Sequence, residues 1–397
     1  MPNSHPGLYQ KLHTKKPISK PKQSVNVILR KKQKQQDLAQ FHHATCLYPT
    51  TDTFLRAIKN NHFSSWPGLD TNLIKTHLPK SIHTYQEHLK SERQGLQSTK
   101  ADSINTVQDY FPSSDSPNTK TNEVCYALID MESESVGYMD LTGRFPKRSS
   151  RGNQYILVAY HYDGNYIHGE AVKNRKGSSI AAAWVSIQST FKSAGSSPTT
   201  YVLDNETSQD LLQAFEEEKI SHQLVPPHKH RNNKAERAIQ TFKSHFKSCL
   251  SGTDPNYPLS EWDRLIPQTN ITLNLLRASR VNLKLSAYAF INGEYNYRAT
   301  PMALPGTKVL VYKHPTIRAS WDLNGEPGWY IGPALDHYRC IQCYIPRTKS
   351  IVISDTVEFF PTIIKFPLFK LADFIQQAAT DMLSILANPP KLGIPTL

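Results

Sequence analysis

The chain has 397 residues, of which 38% are hydrophobic; 46 Lys and Arg against 33 Asp and Glu give a formal charge of +13 and a pI near 9.3. That length admits two or three domains. No apolar run approaches the about 18 residues of a membrane span, and the polar start Met1-Pro-Asn-Ser-His-Pro has no signal core, so neither a transmembrane segment nor a signal peptide is expected. The five cysteines (Cys46, Cys125, Cys249, Cys340, Cys343) are too few and scattered for a disulfide framework and favour a reducing compartment. The positive charge points to a polyanionic partner.

Residues 1–37 are rich in Lys, Arg, Gln, Ser and Pro and cannot bury enough apolar area to offset chain entropy, so they are expected to form a disordered basic arm. Lys31, Lys32 and Lys34 suit either phosphate contact or a nuclear address. Residues 38–98 form the expected helical N-terminal domain: Phe54, Leu55 and Ile58 recur at helical spacing within Thr51 to Asn61, and a further helix is predicted over Ile82 to Lys90. His42, His43 and Cys46 lie close together, but no second cysteine joins His62, His77, His83 or His88 to complete a zinc-finger set. No structural zinc is expected. Residues 99–121, containing Ser113-Ser-Asp-Ser-Pro-Asn-Thr, are a turn-rich linker.

From 122 to 298 the texture is α/β. Strands are predicted at Val124 to Asp130, Val136 to Asp140, Gln154 to Tyr162 and Tyr166 to Val172, with turns at Gly143, Gly152 and Asp163-Gly-Asn. Ile180, Ala183, Trp184, Ile187 and Phe191 make the stripe of a helix over Ser178 to Ser193. Thr199-Thr-Tyr-Val-Leu then reads as a buried strand that stops at Asp204-Asn205. An amphipathic helix over Ser208 to Lys219 follows, then an extended run from Ile220 to Val225. After the polar loop His228 to Asn233, a helix opens near Lys234, with Ala235, Ala238, Ile239, Phe242 and Phe246 as its apolar face and Glu236 in its first turn. Trp262 to Leu285 is predicted as an apolar helix interrupted at Pro267 and carrying the basic Arg277-Ala-Ser-Arg280. In residues 299–365, short strands at Lys308 to Lys313, Gly328 to Ile331, Cys340 to Ile345 and Ile351 to Val357 predict a small antiparallel barrel. Cys340-Ile-Gln-Cys343 sits in one of them and suits ordinary packing. Residues 366–397 are an amphipathic helix, Leu371 to Leu386, and a Pro-rich tail.

Asp204 at a strand end and Glu236 at a helix start, with a strand-helix-strand unit between, suit hard divalent cations on phosphates: such ions take oxygen ligands and keep positions open for substrate. Asp140, on one strand face with Val136 and Tyr138, supplies a third carboxylate. Asp130, Glu132, Glu134, Asp163 and Glu206 lie near these motifs and are easily mistaken for ligands.

Met139-Asp-Leu-Thr-Gly-Arg-Phe-Pro and Gly152-Asn-Gln-Tyr-Ile-Leu-Val resemble the first two strands of retroelement integrases. Val202-Leu-Asp-Asn-Glu and Asn233-Lys-Ala-Glu-Arg-Ala are similar to that family's second and third acidic motifs. The resemblance is closest to Ty1/copia-like elements and extends more weakly to about residue 360. It departs in one respect: 31 residues separate Asp204 from Glu236, fewer than is usual, and the loop after Asp204 can absorb the difference.

The resemblance implies an RNase H-like catalytic core, a mixed five-stranded sheet with helices, preceded by the small helical domain and followed by an SH3-like β-barrel. In that core the first and fourth strands are neighbours. It further implies that Asp140, Asp204 and Glu236 are the catalytic triad and hold two Mg²⁺ or Mn²⁺ ions, with Asp140 bridging both. The activity implied is nicking of a DNA 3′ end and its transfer into a target duplex, by the integrase section of a retrotransposon polyprotein. Asn205, Lys229, Arg231, Arg237, Gln240, Lys243 and Lys247 are the candidate DNA contacts. Element and target double-stranded DNA, a homo-oligomer and a nuclear location complete the expectation. Two alternatives stay open: a decayed or repurposed nucleic-acid-binding protein that keeps the fold, and an RNase H-type nuclease that cuts without joining.

Overall fold

The computed structural model of the chain describes residues 32–89, 135–203, 207–224, 234–365 and 382. Among the described residues, four helices precede the first strand: α1 (Lys32–Thr45), α2 (Thr51–Lys59), α3 (Thr71–His77) and α4 (Ile82–His88). Side-chain caps fix two of the starts, Thr50 accepting from the Thr53 amide and Asp70 from the Leu73 amide. Helix α1 begins inside the stretch expected to be disordered. Its Lys and Gln residues are good helix formers, and the buried Leu38, Ala39 and Phe41 anchor it. Helix α3 has only Leu73 and Ile74 buried, too little pattern to predict it.

The first sheet holds β1 (Val136–Leu141), β2 (Tyr155–His161), β3 (Tyr166–Val172), β4 (Thr200–Leu203) and β5 (Ser221–Leu224), with α5 (Gly177–Ser193) before β4 and α6 (Gln209–Glu217) before β5. Strand order is β3-β2-β1-β4-β5. The first three strands pair antiparallel, while β1–β4 and β4–β5 pair parallel. This mixed sheet with interleaved helices has the order expected of an RNase H-like core, including the adjacency of the first and fourth strands. The interior strand β2 is buried on both faces, hence its unbroken apolar run. On one face α5 packs through Ala183, Trp184, Ile187 and Phe191, with Trp184 against Phe215 of α6 at 4.4 Å between ring centres. The strand expected at 124–130 lies outside the described residues.

Helix α7 (Lys234–Ser251) covers the other face. The helix expected across Trp262 to Leu285 is divided differently. A 3₁₀ segment, Leu259–Leu265, leads into α8 (Ile266–Leu275), a loop follows, and α9 (Ala287–Asn292) closes the unit. Pro267 does not interrupt a helix; it lies in the first turn of α8, where its missing N–H is not needed. Two asparagines of α8, one turn apart, clasp the outer edge of β3. Asn270 accepts from the Gly169 amide (2.9 Å) and donates to the Gly169 carbonyl (3.0 Å). Asn274 does the same with Ile167, at 2.9 and 2.8 Å. The edge strand thereby finds in side-chain amides the partners a sixth strand would supply.

The second sheet is antiparallel throughout: β6 (Lys308–Tyr312), β7 (Gly325–Pro333), β8 (Ile341–Ile345), β9 (Ser350–Ser354) and β10 (Val357–Phe360), in the order β10-β6-β7-β8-β9. No pairing joins β9 to β10 among the described residues. Cys340 falls just before β8, not within it. The helix expected at 371–386 lies outside the described residues apart from Met382.

Packing runs across residues 98 and 298, where composition suggested boundaries. One core cluster joins Leu38, Cys46 and Phe54 to Met139, Leu157 and Tyr297. Gln268, wholly buried, donates from Nε2 to the Thr45 (3.4 Å) and Ala303 (2.8 Å) carbonyls and accepts at Oε1 from the Tyr330 hydroxyl (2.9 Å). No helix among the described residues is long and apolar enough to cross a membrane.

Candidate active site

Asp140 sits in the last turn of pleat of β1, half-buried, opposite Val158 of β2. Gly137 and Met139 turn into the α5 side, so strand alternation places Val136, Tyr138 and Asp140 on the other face. Val158 and Tyr160, the partners of Asp140 and Tyr138, pack in one cluster with Ala238, Ile239 and Phe242 of α7. Asp140 therefore shares a sheet face with the helix that carries Glu236. Its Oδ1 accepts from the Leu141 amide at 2.6 Å.

Glu236 is exposed in the first turn of α7, where a carboxylate is favoured by the helix dipole. The helix is fixed by Ala235, Ala238, Ile239, Phe242, Phe246 and Cys249, all buried. Burying Phe242 alone contributes about 1.5–3 kcal/mol. Its ring lies against Gly169 of β3, so close that a Cβ there would fall 2.4 Å from the Phe242 Cζ. Gly169 pairs with Val158, and Val158 with Asp140, so this contact lies in the row of the sheet that holds Asp140. Glu236 is six residues before Phe242, about 9 Å along the axis.

Arg237, Gln240, Lys243 and Lys247 are all exposed on α7, and Glu236, Gln240, Lys243 and Lys247 follow one helical face. Lys247 also pairs with Glu87 of α4 at 3.3 Å. Lys243 and Lys247, with Thr142, Arg144, Phe145 and Phe246, line a cavity of about 490 Å³ between α7 and the segment after β1. Arg144 is a further cation there, beyond the DNA contacts expected from the sequence. Asp204, Asn205, Lys229 and Arg231 lie outside the described residues; β4 is described to Leu203, the residue before Asp204. Asp163 belongs to the β2–β3 turn at the far end of the strands, where its carbonyl accepts from the Arg280 amide (2.9 Å).

Carboxylates half-buried and exposed on one face are the donors a hard cation takes, and their access leaves room for substrate oxygens, so Asp140 and Glu236 fit Mg²⁺ or Mn²⁺. Among the described residues no three His, Cys, Asp or Glu side chains are gathered for a metal. The histidines considered for zinc serve other bonds: His42 Nε2 reaches the Pro67 carbonyl (2.9 Å), His43 Nε2 that of Pro49 (2.7 Å), and His62 Nδ1 that of Leu275 (3.0 Å). Burial pushes His42 and His43 down to about 4, so both rings are neutral at pH 7.

No protein-family model and no curated protein matches the sequence. Among solved structures, the chain is similar to the catalytic core domain of BIV integrase (13% identity, TM-score 0.31, 40% of this chain and 94% of that one). It is likewise similar to the HTLV-2 integrase catalytic core in complex with magnesium in its dimeric form (16%, TM-score 0.31, 40% and 95%). A third is the simian T-cell lymphotropic virus intasome with a PP2A regulatory subunit (13%, TM-score 0.27, 57% and 81%). Likenesses at such identities and scores fix neither family nor activity.

Proposed function

We propose that the chain is a DNA integrase of the retroelement kind, closest to the Ty1/copia-like group, with Asp140, Asp204 and Glu236 as its triad. One observation carries this: β1 and β4 run parallel as neighbours, Tyr138 opposite Val202, while α7, whose first turn carries Glu236, packs on the sheet face that holds Asp140. That register supports assigning Asp204, next in sequence after β4, to the same site. Bound Mg²⁺ or Mn²⁺ would supply Lewis acidity at the attacking and leaving oxygens.

The chain's own groups then do the following. Asp140, Asp204 and Glu236 hold the ions. Asn205 orients the terminal nucleotide. Gln240, Lys243 and Lys247 follow a phosphate backbone along α7, joined by Arg237 at its start and Lys229 and Arg231 in the preceding loop. In nicking, a water oxygen bonds to phosphorus, the P–O3′ bond breaks and the proton leaves to solvent. In joining, the freed 3′ oxygen attacks a target phosphate in the same way. The second sheet, read as an SH3-like domain, presents Lys308 and Lys349 for non-specific phosphate contact. A homo-oligomer working in the nucleus fits two DNA ends joined to one target.

The experiment is joining of labelled DNA ends to plasmid in Mg²⁺. Asp140→Asn, Asp204→Asn and Glu236→Gln should each abolish joined and nicked product while duplex binding persists. A variant joining within about tenfold of wild type, a deficit of only about 1.4 kcal/mol, would remove that residue from the site. The short Asp204–Glu236 interval favours a second reading, a binding protein that retains the fold. Duplex binding without joined product in the unmutated chain would decide for it.

A further inference from the structure

The basic stretch Arg277-Ala-Ser-Arg280 has no part in the site around Asp140, yet the structure builds something definite from it. Residues 279–285 form a loop closed at its base by the Ser279 amide on the Leu285 carbonyl (2.9 Å) and the Ala278–Ser286 bridge. Inside it, the Leu285 amide bonds the Asn282 carbonyl (3.0 Å), and the Lys284 amide bonds Asn282 Oδ1 (3.1 Å). The base is tied to the β2–β3 turn: Arg277 Nε donates to the Asn165 carbonyl (2.9 Å), Asn165 Nδ2 to the Ala278 carbonyl (2.8 Å), and the Arg280 amide to the Asp163 carbonyl (2.9 Å). Arg280 Nε donates to the Tyr160 hydroxyl (3.0 Å), and its guanidinium lies 4.4 Å from the Tyr162 ring centre.

This bonded loop holds two aliphatic side chains out in solvent: Val281 and Leu283 are each 69% exposed. The exposed cations Arg280 and Lys284 flank them. Apolar tips on a tied loop, bracketed by positive charge, match the chemistry of proteins that enter a DNA minor groove: aliphatic wedges part a base step while cations hold the phosphates beside it. A second copy of the chain is a poorer occupant, because a symmetric contact would set Arg280 and Lys284 against their own copies. The Tyr162 amide bonds the Val136 carbonyl (3.0 Å) at the start of β1. Asp140 is four residues along that strand, about 13 Å, so the loop stands at the opposite end of β1 from Asp140.

We propose that the 279–285 loop is a duplex-DNA wedge, with Val281 and Leu283 entering the minor groove and Arg280 and Lys284 gripping the phosphates on either side. The proposal rests on the DNA-binding reading above and adds to it a bend in the bound duplex.

The test uses the full chain and an end-labelled duplex of about 30 base pairs, reading affinity and end-to-end energy transfer together. Wild type should bind and raise the transfer. Val281→Ser with Leu283→Ser should bind with affinity close to wild type and lose that rise. Lys284→Ala, which leaves the Arg280–Tyr160 bond in place, should bind about threefold more weakly, with a salt slope smaller by about one. These substitutions are at the surface, and unchanged melting confirms that each variant folds. An unchanged rise in the serine pair overturns the wedge and leaves the DNA reading standing. Absence of duplex binding by wild type overturns both. A serine pair that bends DNA normally but converts a dimer to a monomer without DNA makes the loop a self-contact, and the wedge is then wrong.

Discussion

Gly169→Ala tests how Glu236 is held in place. The added methyl would meet Phe242 Cζ at 2.4 Å and Cε2 at 2.5 Å, where carbon pairs rest at about 3.5–4.0 Å. The ring must retreat by about 1 Å or more. It is fully buried, in an interior packed too closely to absorb that shift in one side chain. Overpacking of this kind costs about 1–3 kcal/mol, and part of the displacement must pass into α7. A misplacement of about 1 Å at a reacting geometry lowers rate by about 10²-fold. Gly169→Ala should therefore lower the urea midpoint and, on the integrase reading proposed above, depress nicking and joining by about that factor while leaving duplex affinity nearly intact. Adding Phe242→Leu, which shortens the ring's reach, should restore a substantial part of the rate. A Gly169→Ala chain with wild-type midpoint and wild-type rate would refute the reasoning, because α7 would then not be seated through this contact.

Asn274→Leu keeps the branched side-chain shape but leaves the Ile167 amide and carbonyl without their partner; at about 1–3 kcal/mol per buried orphan, stability should fall by about 2–6 kcal/mol, and hydrogen exchange at Ile167 should quicken. A loss under about 0.5 kcal/mol with unchanged exchange would show that the edge finds other partners. A pH effect follows from buried histidines: His42 and His43 lie at about 4 and His245 at about 3, against 6.5 in the open chain, because burial disfavours the charged ring. Folded values below unfolded ones mean that the native state binds fewer protons. Their stabilisation is complete above about pH 6.5 and is lost as pH falls toward about 4 for His42 and His43 and about 3 for His245. Urea midpoints should drop over that window, and the drop should be shallower in His245→Asn; a profile that does not change in that variant would place the proton uptake elsewhere.

Much of the central sheet was legible because its pattern is local. The alternation at Val136, Tyr138 and Asp140, the unbroken run of β2, and the stripe of Ala235, Ala238, Ile239, Phe242 and Phe246 each state their own element. That Asp140 shares a sheet face with the helix carrying Glu236 could be expected from those patterns and the resemblance together. What stayed hidden depends on partners distant in sequence. Nothing near Asn270 or Asn274 says that a polar pair on an apolar helix will close a sheet edge a hundred residues earlier. Gly169 looks like any glycine in a strand until Phe242 lies on it. Arg277 and Arg280 read as basic surface; only the fold shows that one ties down a turn and the other frames two exposed aliphatic tips. The start of α1 was missed because composition weighs its Lys and Gln against burial, whereas the helix is held by Leu38, Ala39 and Phe41 further on.

Gln268 has a consequence for the order in which the chain matures. Its carboxamide closes bonds with Thr45, Ala303 and Tyr330, so the first helices cannot complete their packing until residues far downstream exist. Non-local contacts of this span are slow to form, because loop closure must precede the reward. During synthesis at about 5–20 residues per second, α1 and α2 would wait many seconds with Leu38, Phe54 and Trp66 uncovered. A piece cut at residue 98 would carry those same faces permanently bare.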